Sequence, residues 1–145
     1  MRILCVCLGN ICRSPTAEAV LRQMAGADFE LDSAGTGNWH VGKPPYGPAI
    51  AAAASRGYDL SSLRARQFRS RDFDDFDLIL AMDRQNLADL EALRPADNET
   101  PIRLIMDFAI DAAVNEVPDP YYTGDFDEAL TLIESAAEGL MAKIG

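Results

Sequence analysis

The sequence predicts an α/β protein, a doubly wound four-stranded parallel sheet with helices on both faces. Three observations predict it. Short, nearly continuous apolar runs such as Arg2-Ile-Leu-Cys-Val-Cys7 suit strands buried on both faces. Each run is followed by a longer stretch with apolar residues at helical spacing, strand then helix four times over, which implies parallel strands joined by right-handed crossovers. The length of 145 residues fits one domain, since roughly 100–200 residues per domain is usual. No repeat, low-complexity tract or long linker divides the chain, so a single domain over residues 1–145 is expected.

The first strand, Arg2 to Cys7, gives way to Gly9-Asn10 and then to Ala17, Val20, Leu21 and Met24 at helical spacing. Ser14 is placed to cap that helix, and Pro15 suits its first position, where the missing N–H costs nothing. A second strand is expected over Phe29 to Ser33, and an alanine-rich helix over Pro48 to Arg56 stopped by Gly57. Phe76 to Met82 reads as an interior strand, followed by a helix from Arg84 to Arg94. Ile102 to Ile105 is a weaker strand. From Phe126 onward Leu130, Ile133, Ala137 and Leu140 form one stripe of a long amphipathic helix.

Composition excludes several classes. With 48% hydrophobic and 25% charged residues the chain is neither disordered nor fibrous. Thirteen basic residues against 23 acidic ones give a net charge of −10, which argues against nucleic-acid binding and against docking on anionic lipid. No apolar run approaches the roughly 20 residues of a membrane helix, and Met1 to Leu8 is too short for a signal peptide. The only cysteines, Cys5, Cys7 and Cys12, make a poor disulfide framework and fit a reducing, cytoplasmic setting with thiol chemistry.

In such sheets ligands bind beyond the carboxyl ends of the strands, which directs attention to Cys7-Leu-Gly-Asn-Ile-Cys-Arg-Ser14. Backbone N–H groups at a helix start lack helical partners and carry partial positive charge. Gly9 lets the main chain curl, and Asn10 tolerates a left-handed conformation. A ring of such amides cradles an anion, and Arg13 adds a planar fork for two phosphate oxygens. Cys7 at the floor of this cradle is favoured as a thiolate, with Ser14 able to donate to the sulfur. A thiolate beneath a tetrahedral anion is placed for in-line attack on phosphorus. Residues 1–17 contain two arginines and no acid, so a dianion can approach despite the overall charge, repulsion fading over about 8 Å at physiological ionic strength. Spacing alone leaves open that this is a capped helix start preceded by a buried cysteine.

Cys7-Leu-Gly-Asn-Ile-Cys-Arg-Ser-Pro15 with Asp119-Pro-Tyr-Tyr122 resembles the low-molecular-weight protein tyrosine phosphatases over essentially the whole chain. Asp32-Ser-Ala-Gly35, Gly42-Lys-Pro-Pro45 and Arg64-Ala-Arg-Gln67 also match. The resemblance implies a Rossmann-like four-stranded parallel sheet and no metal or organic cofactor. It implies Cys7 as nucleophile, Arg13 as phosphate clamp and Asp119 as general acid. The loop Leu8, Gly9, Asn10, Ile11 and Cys12, with Ser14, surrounds phosphate; Asn10, Ser14 and Ser33 hold the loop's shape; Trp39, Tyr121 and Tyr122 form the aromatic rim. It further implies a phosphotyrosine protein as substrate, inorganic phosphate or vanadate as inhibitors, and a monomer or weak dimer. One departure is Leu63, where the family often has a histidine, so a support involving Glu18 is expected to be missing or replaced.

The reaction needs a nucleophile, charge stabilisation and a proton for the departing phenolate. Pro120 stiffens the loop that carries Asp119. Cys7 and Cys12 can approach each other across a curled loop, so peroxide is expected to join them, whereas Cys5 is core filler. His40, the only histidine, has no ligating companion, and a metal site is not expected. The Gly35-Thr-Gly37 pair lacks a dinucleotide fingerprint. The run Arg64, Arg66, Arg69, Arg71 is either a recruiting surface or a solvated, internally paired face, neutralised by Asp72, Asp74, Asp75 and Asp77. The alternatives on the same scaffold are a phosphoarginine phosphatase, an arsenate reductase and a non-catalytic phosphate-binding module. The absence of cysteine after Cys12 disfavours arsenate reduction, and Ile11 with Tyr121-Tyr122 favours tyrosine over arginine.

Overall fold

Alternation along the strands decides how the layers form. In Arg2–Cys7 (β1), Ile3, Cys5 and Cys7 point to one side of the sheet and Leu4 and Val6 to the other, as the two-residue period of a strand requires. A computed structural model describes residues Met1–Gly145. Glu30–Gly35 (β2), Leu78–Ala81 (β3) and Ile102–Leu104 (β4) complete a parallel sheet in the order β2-β1-β3-β4. Helices Arg13–Met24 (α1), Gly47–Ala54 (α2) and Phe126–Ile144 (α6) cover the face of Ile3, Cys5 and Cys7, while Asp72–Asp75 (α3) and Arg84–Leu93 (α4) cover the other. A short helix Pro120–Thr123 (α5) precedes α6, and a 3₁₀ turn, Ile105–Phe108, follows β4. The core under α1 and α6 holds 25 buried residues and the opposite one 10, so most of the apolar burial that stabilises the fold lies on the Cys7 side.

The expected architecture is present; several boundaries differ. Strand β2 runs to Gly35 instead of Ser33 because its pairing with β1 continues to the Cys7–Gly35 partners. Strand β3 starts at Leu78, since Phe76 closes α3. Helix α2 ends at Ala54, with Gly57 in the left-handed turn beyond it. Ser14 is not the cap of α1. The helix begins at Arg13, and Cys12 stands at the cap position without a side-chain cap bond, which leaves the first-turn amides free for an anion.

From β1 the chain turns to β2 on one side and later to β3 on the other. The loops after β1 and β3 therefore diverge at a topological switch point, where open parallel sheets form their crevice.

Candidate active site

Cys7 is the last residue of β1, 3% exposed, and the following loop curls back over it. Asn10 adopts a left-handed backbone with φ of 56°, which turns its own N–H onto Cys7 Sγ at 3.3 Å. Room for that curl depends on Gly35, where a Cβ would lie 2.7 Å from the Leu8 carbonyl oxygen and 3.1 Å from Asn10 N. The amides of Leu8, Gly9, Ile11 and Cys12 donate to no protein group. Together with the open first turn of α1 they are a set of unused donors around one sulfur.

Side chains behind the loop fix this shape. Ser14 Oγ lies 3.0 Å from Cys7 Sγ. Asn10 Nδ2 donates to Ser14 Oγ at 2.8 Å and to Ser33 Oγ at 3.0 Å, and Asn10 Oδ1 accepts from Arg66 N at 3.0 Å. Every hydrogen-bonding group of the Asn10 amide apart from spare lone pairs is thus engaged. Asn10, Ser14 and Ser33 are buried and bond to the loop or to one another; the cleft is lined by other residues.

Ser33 Oγ passes the network on, donating to Glu18 Oε1 at 2.7 Å, and Arg22 donates to Glu18 Oε2 at 2.7 Å. Arg22 and Ser33 therefore supply the support of Glu18, while Leu63 packs against the larger core. Burial raises the Glu18 carboxyl above its ordinary 4.5, outweighing the lowering by Ser33 and Arg22. The folded chain then binds this proton more tightly than the unfolded chain. Stability associated with it is full below the ordinary value and is lost as pH rises through the raised native one. Glu18→Gln is expected to flatten that decline when Tm is followed from about pH 4 to 8; an unchanged slope would assign the decline to another group.

Arg13 opens α1 and is 3% exposed. Its Nη1 donates to Asp83 Oδ2 at 2.6 Å and to the Val117 carbonyl at 3.0 Å, and its Nη2 donates to Asp119 Oδ2 at 3.3 Å. Burial opposes the charged guanidinium, but the charge of the Cys7 sulfur and the two carboxylates outweigh it and raise the Arg13 pKa. Asp83 and Asp119 are themselves pinned. Asp83 caps α4 in a capping box with Asn86, and Asp119 caps α5 through Tyr121 N at 3.0 Å. Two helix starts thus hold two carboxylates against one arginine.

A cleft of about 340 Å³ gathers the expected residues. Cys7, Leu8, Gly9, Ile11, Cys12 and Arg13 form its floor, and Trp39, His40, Asp119, Tyr121 and Tyr122 its walls. Trp39 is 66% and Tyr122 76% exposed, and Tyr121 is wedged between the rings of Tyr46 and Tyr122 at 5.1 and 5.4 Å. Burial pushes Cys12 up to about 12 and raises Cys5 well above its ordinary value. Three residues that matter have no role assigned from sequence: His40 in the wall, and Asp83 and Arg22 as supports. Asp83 carries a signal, since it follows the strand beside β1 at the sheet's carboxyl edge; nothing in the sequence points to Arg22.

A parallel α/β sheet that delivers a thiol, an arginine and a carboxyl group to one cleft floored by free amides defines a phosphate-handling enzyme of the cysteine type. Residues 2–145 match the model of the low molecular weight phosphotyrosine protein phosphatase family. The chain is 42% identical to the low molecular weight protein-tyrosine-phosphatase YfkJ of Bacillus subtilis, over 98% of this chain and 94% of that one. It superimposes on the crystal structure of YfkJ with a TM-score of 0.93, at 41% identity over 99% of this chain and 94% of that one. The crystal structure of DARP, a Drosophila arginine phosphatase, matches with a TM-score of 0.93 at 31% identity, covering 99% of this chain and 98% of that one. The chain belongs to the low molecular weight phosphotyrosine protein phosphatase family.

Proposed function

We propose that the chain hydrolyses phosphotyrosine in proteins, and small aryl phosphates, through a cysteinyl-phosphate intermediate. The observation that carries this reading is the set of unbonded loop amides curled over Cys7 Sγ beside Arg13. In the first step the Cys7 thiolate attacks phosphorus, the P–O bond to the aryl group breaks, and Asp119 gives its proton to the departing phenolate oxygen. The amides and Arg13 spread the charge of the three equatorial oxygens. In the second step Asp119 takes a proton from water, whose oxygen attacks phosphorus and releases Cys7 and inorganic phosphate. Phosphate and vanadate compete for the same donors. The scheme draws on no metal or organic cofactor.

Asp83 acts through Arg13: its 2.6 Å contact keeps the guanidinium facing the loop, leaving Nε–H outside the three bonds described. The aromatic rim of Trp39, Tyr121 and Tyr122 supports an aryl ester as substrate, since flat rings stack on it. A phosphotyrosine peptide is expected to be turned over with kcat/KM at least tenfold above a phosphoarginine peptide, a margin of about 1.4 kcal/mol in transition-state binding. The reverse order would assign the chain to arginine, and binding of vanadate without any turnover would make it a binding module.

The redox reading rests on three free, buried cysteines with Cys7 and Cys12 at the two ends of one curled loop. Peroxide oxidises Cys7 to the sulfenic acid, and Cys12 displaces water to give the disulfide. Intact mass is expected to fall by the two hydrogens lost, reversibly with dithiothreitol; sulfinic or sulfonic acid on Cys7 as the sole product would refute it. Free thiols of this kind suit a reducing, cytoplasmic compartment.

A further inference from the structure

The charges of this acidic chain are sorted by segment. Residues 33–71 contain six Lys or Arg and a single acid, Asp59, a net charge of +5, whereas residues 72–145 contain four basic and eighteen acidic residues, a net charge of −14. Both segments line the cleft. The first supplies Trp39 and His40, and the second supplies Asp119, Tyr121 and Tyr122, with Asp83 and Glu116 further along a broad open hollow that Asp119 also lines.

Pairing decides which cations are available. Arg66 is bound to Asp32 and Asp72, Arg69 approaches Asp72, Arg71 meets Asp75, and Arg56 meets Glu134. Lys43 and Arg64 alone in the basic segment form no ion pair; Arg64 donates only to the carbonyls of Ser61 and Leu63. Both are exposed. They lie side by side, because Gly42 N donates to Ala65 O and Ala65 N donates to Lys43 O. They also adjoin the cleft: Lys43 N donates to His40 O, closing a turn at 2.9 Å, so the Cα atoms of His40 and Lys43 lie within about 7 Å of each other. His40 in turn sits against the loop, 3.1 Å from where a Cβ on Gly9 would lie.

We infer that Lys43 and Arg64 form a recognition patch for acidic residues flanking the phosphotyrosine of the protein substrate, on the flank that leaves the cleft past His40. The inference rests on the proposed phosphatase activity and adds its substrate class. An extended peptide advances about 3.3 Å per residue, so an acid roughly two to four positions from the phosphotyrosine reaches the patch. On the other flank the peptide passes the acidic wall, where Asp or Glu meets like charge. Each exposed pairing contributes only about a 1.4- to 5-fold preference, and screening over about 8 Å at physiological salt makes it dependent on ionic strength.

The test compares phosphotyrosine peptides carrying Glu, Lys or Ala triplets on one flank or the other, against p-nitrophenyl phosphate, for the full chain and for Lys43→Glu/Arg64→Glu. The expected result is that Glu on one flank raises kcat/KM by roughly 5- to 10-fold at low salt, that the gain disappears in 0.5 M salt (Debye length about 4 Å), and that the double variant prefers Lys on that flank. Hydrolysis of p-nitrophenyl phosphate, which has no flanks, is unchanged in the variant. Equal kcat/KM for Glu and Lys peptides on both flanks would overturn the patch, as would a Glu preference that survives charge reversal. Failure of the full chain to hydrolyse p-nitrophenyl phosphate at all would instead defeat the phosphatase reading.

Discussion

Cys7→Ser is expected to lower aryl phosphate turnover on the order of 10⁴-fold or more while inorganic phosphate and vanadate still bind. The two properties separate because different atoms carry them. Binding draws on the free amides of Leu8, Gly9, Ile11 and Cys12 and on Arg13, none of which bonds to the Cys7 sulfur. Bond making draws on the sulfur alone, and a serine hydroxyl keeps its proton at neutral pH and attacks phosphorus poorly. The exchange is nearly isosteric at a position 3% exposed, and the new hydroxyl can share hydrogen bonds with Ser14 and Asn10 N, so the fold is retained. Steady-state turnover and calorimetric phosphate binding on the same preparation provide the check. Residual activity within tenfold of the parent would remove Cys7 from the reaction, and loss of both properties together would show that the loop had collapsed.

Asp119→Asn is expected to slow phosphotyrosine hydrolysis by roughly 10²–10⁴-fold, the usual span for a lost general acid. The loss shrinks as the leaving phenol becomes more acidic, because a stable phenolate departs without a proton. Asparagine caps a helix as well as aspartate does, so α5 keeps its start and stability changes little. Phosphate binding tightens in this variant, since Asp119 Oδ2 lies 3.3 Å from Arg13 Nη2 and its negative charge competes with a dianion for that donor. A rate loss that is uniform across leaving groups would instead make Asp119 a positioning residue for Arg13.

How much of this is legible in the sequence follows from how each residue acts. The four strands and the long helices announce themselves through period-two and helical spacing, and Cys7 and Arg13 through their place between a buried strand and a helix start. Helices α3 and α5, four residues each, carry too little periodicity to be seen. The cap of α1 is misleading because Ser14 has the chemistry of a capping residue, yet its hydroxyl is drawn inward by Cys7 and Asn10. Asp83 and Arg22 act on residues 70 and 4 positions away. The role of Asp83 emerges only once the sheet order is known, and Arg22 resembles any surface arginine one turn from a glutamate. The arginine run is the plainest case: its pairing partners come from two segments, β2 and α3, so only the fold distinguishes Arg64 from its neighbours.

The left-handed turn at Asn10, with its amide engaged on every side, means that the loop has no conformational freedom left to surrender when an anion arrives. That entropy was given up when the chain folded, and the dense core beneath α1 and α6 offset it. Affinity for a phosphoryl group is therefore a property of rigid dipoles already aimed, and a slackened loop would weaken capture even with every reacting atom still in place.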